Sequence, residues 1–363
     1  MPTKPQRASN LELLRIVCML LIIGDHLTGQ GGIADYSSLP SSLVFCLIGC
    51  GSRIACTVFV LVGSWFLCEQ PYKTRRPLSL WLSLWLYTVP VTLLCRLAGL
   101  DVSLGALRWA AFPASTRQLW FISDYLVLLL CVPLLNRLLR GLPRRAHKGV
   151  LLVLAVPLVL YPTLFGQDGI LADTAWMFLY DYLLAAYLRR WPDNRLSQFL
   201  NRPAAALALG LGLPLANTAV RAVLEWQGAT DSKAFQYIAY YRTALGALPG
   251  LLAALALFHF FKNWDLGSNR FINALAGTTL GVYILHQVPV LRDFLWNGIF
   301  HAQAHHGSAG YTLLVIVLTF AGCAAIDALR TRLIMQPLQR SRAFTALCAK
   351  GDALAAEIEK PND

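Results

Sequence analysis

Long apolar runs, each about one membrane thickness of helix, alternate with short polar stretches along almost the whole chain. A membrane-crossing helix needs roughly 20 such residues. The runs predict ten helices, at approximately 11–28, 41–68, 79–99, 118–136, 149–165, 171–188, 203–221, 240–261, 271–290 and 311–331. The connections are short, the longest near 100–117 and 222–239, and none holds a soluble domain. After Pro337 the pattern changes to Ala, Leu and charge at helical spacing, the mark of a surface helix. The expected organisation is therefore one polytopic, all-α membrane domain over 1–335 with a cytoplasmic helical tail over 336–363.

Composition agrees with this pattern. The 363 residues are 56% apolar and 14% charged, against about 25% charged in a soluble domain. The formal charge of +12 would suit nucleic acid in a soluble protein, yet the basic residues are sorted by side and so predict no nucleic-acid partner. Of the 31 Lys and Arg, 22 fall in alternate segments that include Lys4, Arg7, Lys73, Arg75, Arg76, Arg137, Arg140, Arg189 and Arg190, and five fall in the opposite loops. The positive-inside rule then puts both termini in the cytoplasm and predicts a multi-pass protein of the plasma or inner membrane, in contact with lipid. The nine cysteines show no CxxC pair and no zinc spacing. The first run, interrupted by charge and followed by no A-x-A site, reads as a membrane helix and not a cleaved leader.

Ionisable groups inside such helices are costly and mark functional candidates. The first helix, ELLRIVCMLLIIGDH, carries Arg15, Asp25 and His26. Eleven steps at about 100° bring Arg15 and His26 to within roughly 20° of one face, separated by roughly 16 Å of rise. Glu12 precedes Arg15 at ion-pair spacing, so Arg15 either pairs locally or offers its planar fork to phosphate. His26 is the candidate general base. Asp25 either orients it or faces the headgroups, since neighbouring residues stand about 100° apart on a helix. Arg53 lies well inside the second run, Asp124 in the fourth, Asp181 in the sixth and His286 in the ninth. With orientation assigned, His26, Asp124 and His286 share a depth in the outer half. Lys73, Arg75 and Arg76 either report orientation or collect phosphates at the cytoplasmic face. His301, His305 and His306 fall in an exposed loop, and no metal site is expected.

Four elements in order carry a resemblance. The Arg-x10-His spacing of Arg15 and His26, the arginine-bearing SRIACTVFVLVGSWFL, the LWFISDYLVLLLCVPLLN helix and the late GTTLGVYILHQVPV element resemble acyltransferase family 3, the polytopic membrane O-acyltransferases. Gly63-Ser64 reverses the usual order, Cys131-Val132-Pro133 replaces a Ser before proline, and the basic element is Lys73 to Arg76 where the family has RxxR. The resemblance implies transfer of an acyl group, most often acetyl, from acyl-CoA to a hydroxyl of a surface polysaccharide, glycolipid or other sugar. It assigns acetyl-CoA as a substrate, with no permanently bound cofactor. Arg15, Lys73, Arg75 and Arg76 are then expected to hold the donor. His26 is expected to act as base, Asp25 or Asp124 to orient it, and Arg53 or His286 to stabilise the oxyanion. The competing class is a small-solute transporter using the same buried charges as a pathway.

Overall fold

The computed structural model describes residues 8–171 and 173–360; Lys4 and Arg7 lie outside the described residues. Every regular element among them is helical. The chain runs α1 (Ser9–Gln30), α2 (Leu39–Ile48), α3 (Ser52–Leu67), α4 (Arg75–Leu97), α5 (Leu104–Ala111) and α6 (Trp120–Gly141). It continues through α7 (Arg144–Ala155), whose run passes through a π turn into α8 (Tyr161–Phe165), then α9 (Thr174–Arg190), α10 (Arg195–Leu200) and α11 (Pro203–Trp226). The last third comprises α12 (Lys233–Thr243), α13 (Leu248–Asn263), α14 (Arg270–Ala276), α15 (Thr279–Gln287), α16 (Pro289–Asp293), α17 (Ala309–Arg330), α18 (Gln336–Arg340) and α19 (Arg342–Glu359).

Six helical segments are long and apolar enough to cross a membrane: Leu39–Leu67, Arg75–Leu97, Trp120–Gly141, Arg144–Phe165, Pro203–Trp226 and Ala309–Arg340. A seventh is formed if Arg270–Gln287 and Pro289–Ile299, bent by 79°, count as one span. Outside this set stand α1, which carries Glu12, Arg15 and Asp25, and the shorter α9 and α13.

Three runs expected to be continuous are broken, each where backbone chemistry outweighs hydropathy. The 41–68 run stops at Ile48 and restarts at Ser52 across Gly49-Cys50-Gly51. A Cβ at Gly51 would stand 2.7 Å from Leu21 Cβ, so the two glycines let this corner press against α1. The 240–261 run separates into α12 and α13, and the 271–290 run turns at Val288-Pro289, where proline supplies no N–H to continue the ladder. The two long loops contain α5 and α12, started by Ser103 and Ser232, which accept the Ala106 N–H at 3.0 Å and the Phe235 N–H at 3.1 Å.

The interior is organised on α1, which packs against α2, α3, α13, α14, α15 and α17. Leu14, Ile23 and Leu27 of α1 are sealed with Ala55, Val58 and Leu61 of α3 and Ile284 of α15. Its first turn is tied by Ser9 Oγ to Asn273 (2.9 Å) and by Asn10 Nδ2 to the Phe261 carbonyl (2.8 Å). The end of the bundle where α1 starts also carries the cluster of basic side chains, and is called the basic end below. Here α19 lies across the ends of α4 and α6. The Asp352 carboxylate accepts the Thr74 N–H at 2.6 Å and stands 3.9 Å from Lys73 Nζ. Arg140 donates to Glu359 at 2.5 Å, and Arg75 to Gln339 of α18 at 2.6 Å.

Candidate active site

Helical spacing on α1 sets the site. Arg15, Met19 and Ile22 line one cavity of about 300 Å³, and His26 is the next position on the same stripe, one turn further from the basic end. The cavity mouth holds the Glu12–Arg15 pair (3.4 Å). Its walls are Cys56 and Phe59 of α3, Leu80 of α4, Phe121, Ile122 and Tyr125 of α6, and Leu280 and Tyr283 of α15. Gly63 is what admits Tyr125, because a Cβ there would collide with the tyrosine hydroxyl.

At the far end of this stripe two histidines meet. His26 Nδ1 lies 2.9 Å from His286 Nε2, and His286 Nδ1 lies 2.6 Å from the Val282 carbonyl oxygen. A carbonyl only accepts, so His286 Nδ1 must carry the proton and donate it. In a neutral ring Nε2 is then the acceptor, and it takes the bond from His26 Nδ1–H. The chain of bonds leaves Nε2 of His26 as the free lone pair. Tyr283 packs beside both, its ring centroid 6.4 Å from that of His26 and 6.0 Å from that of His286.

A second cavity has a volume of about 310 Å³. It is lined by Arg53, Asp168, Asp173, Thr174, Met177 and Tyr240, with Leu158 and Leu245 among its apolar contacts. Arg53 is reached from the first turn of α3, immediately after the glycine break, and its Cζ lies 4.6 Å from the centroid of the Trp120 ring. Arg53 of this cavity and Cys56 of the other are one turn apart on α3, so the two spaces follow one another along the same side of that helix.

Of Asp25, Asp124 and His286, the structure brings His286 alone into hydrogen-bond contact with His26. Asp25 is ion-paired with Arg242, which also donates through Nε to the Gly49 carbonyl at 3.0 Å. Asp124 accepts from Arg117 (3.0 Å) and from Thr174 Oγ1. Lys73, Arg75 and Arg76 lie at the basic end, engaged with Asp352, Gln339 and Gln70. Asp181 is buried on α9 with neither carboxylate oxygen hydrogen-bonded. His306 Nε2 lies 3.9 Å from Asp35, and no metal-holding cluster occurs among the described residues.

Sequence reasoning missed the partners. An aspartate at membrane depth demands a cation or a donor, and Arg242 and Arg117 supply it. Asp327 was the clearer omission, because an Asp in the apolar α17 with Arg330 three residues on is visible in the sequence. It accepts from Tyr87 at 2.5 Å and from Arg330 at 2.9 Å, and a Cβ on Gly281 would collide with it. That contact seats α15, the helix that carries His286.

No curated protein and no solved structure matches the chain. A family profile described as an acyltransferase domain does, over residues 9–328, which spans α1 through nearly all of α17 and includes both histidines and both cavities. The chain belongs to acyltransferase family 3.

Proposed function

We propose that the protein transfers an acyl group, acetyl in the first instance, from acyl-CoA to a hydroxyl of a sugar-containing acceptor at the outer face of the cell membrane. The observation that carries this reading is the Val282–His286–His26 chain of hydrogen bonds, which leaves an imidazole nitrogen unprotonated one turn beyond the cavity-lining Ile22 on α1. In this reading the basic end faces the cytoplasm, where 22 of the 31 Lys and Arg gather.

The donor enters from that end. Its phosphates meet Arg15 and the 73–76 group, and its extended arm runs along the Arg15–Met19–Ile22 stripe. The roughly 16 Å of rise between Arg15 and His26 suits that arm. The acceptor occupies the second cavity. His26 Nε2 takes the proton of the acceptor hydroxyl as its oxygen attacks the thioester carbonyl; the C–S bond breaks, and the departing thiolate receives the proton from the imidazolium. His286 Nε2 accepts from His26 Nδ1–H throughout, which holds the ring in place. His286 is thus a positioning residue, and His26 the catalytic one.

The test is acetyl transfer by the full chain in proteoliposomes, with labelled acetyl-CoA inside and surface glycan outside, read by mass spectrometry. His26→Ala is expected to abolish transfer. Full activity in that variant would refute the mechanism.

A further inference from the structure

Five cations directed into the interior of this bundle are matched by carboxylates. Arg15 pairs with Glu12, Arg117 with Asp124 and Asp173, Arg221 with Glu225 (3.1 Å), Arg242 with Asp25 and Arg330 with Asp327. Arg53, lining the second cavity, has no ion pair and no hydrogen bond among the described residues; one face of its guanidinium rests on Trp120. Ionisable groups at membrane depth are paired or mark a ligand pathway. A guanidinium fork whose five donors are unspent, in a cavity, is a seat for a planar oxyanion.

The two carboxylates of the same cavity do not fill that seat. Asp173 is held by Arg117 at 2.8 Å, and Asp168 accepts the Tyr240 hydroxyl at 2.9 Å. They supply acceptors for hydroxyl groups instead. At about 310 Å³ the cavity lies at the small end of ligand sites, which run to about 1,000 Å³. It suits a short sugar unit and not a length of polymer.

Resting on the reading that this cavity takes the acyl acceptor, we infer that the acceptor is an acidic sugar: a polyhydroxyl unit bearing a carboxylate or phosphate, whose anion is held by Arg53 while its hydroxyls face Asp168. The carboxylate of a uronic acid and the phosphate of a lipid-linked sugar share this chemistry, so the test separates them. The full chain in lipid nanodiscs is given acetyl-CoA with methyl glucuronide, glucose 1-phosphate or methyl glucoside.

The wild-type protein is expected to favour an anionic sugar over the neutral one by at least about tenfold in kcat/KM. Whichever acid is preferred identifies the source of the anion. Arg53→Gln is expected to collapse that ratio toward one. Arg53→Lys, which keeps the charge without the fork, should retain the preference for phosphate better than that for carboxylate; it also stands in if the Gln variant is not monodisperse. Equal use of all three sugars, or a ratio unchanged in both variants, overturns the inference and leaves the acyltransferase reading intact. Acetyl transfer to none of them overturns the sugar-acceptor reading together with it.

Discussion

The two cavities are nearly equal in volume, about 300 and 310 Å³, and opposite in lining. The one toward the basic end has an ion pair at its mouth and apolar or aromatic walls, from Met19 and Ile22 to Phe121 and Leu280. The other is walled by Arg53, Asp168, Asp173, Thr174 and Tyr240. Size therefore does not sort their ligands. Lining chemistry does: an extended, flexible arm slides past apolar walls, while a compact hydroxylated molecule needs fixed polar groups to orient it. The histidine pair stands one turn beyond Ile22, on the α1 stripe that lines the first cavity.

That contrast can be broken at five positions, in falling order of effect. Removing the base is the most severe: His26→Ala is expected to lower kcat by about 10³-fold, within the range for general-base loss, with donor binding retained in a filter-binding assay. His286→Ala removes only the ring's support, so kcat should fall by about 10- to 100-fold, and the double variant should be no worse than His26→Ala alone. Filling each cavity then tests the division of labour. Leu280→Trp is expected to raise KM for acetyl-CoA about tenfold without moving the acceptor KM, and Leu171→Trp, at a residue that lines the second cavity, should do the reverse; if either substitution raised both, the two cavities would be one. Smallest is Glu12→Gln, which frees Arg15 for phosphate. The pair is partly exposed and worth at most about 1 kcal/mol, so the donor KM should fall by less than about fivefold, and by less again in high salt.

Much of this site was readable from spacing. The period of 3.6 placed Arg15 and His26 on one face, and Arg15, Met19 and Ile22 do line one wall. Depth placed His26 level with Asp124 and His286, but only folding shows that the two histidines touch, since 260 residues separate them and lateral contact leaves no local trace. The same holds for Asp25, whose partner Arg242 lies 217 residues away and whose chain neighbour His26 proves not to be its ligand. Helix breaks were obscured for a different reason. Gly49-Cys50-Gly51 and Val288-Pro289 are apolar enough to pass as helix by hydropathy, while their backbone chemistry interrupts it. Arg53 is the instructive case: its charge was conspicuous, but its lack of a partner is a property of every other side chain around it.

The clasp between the last helix and the start of α4 also sets an order of events. Asp352 lies 278 residues after Thr74, so the nascent chain spends on the order of tens of seconds, at ribosomal speeds, with that helix start uncapped and Lys73 and Arg75 unanswered. Only a chain translated past Asp352 can close it. This helix is in this sense a late clasp, and a chain stopped before Asp352 would leave the ribosome with the start of α4 still unlatched.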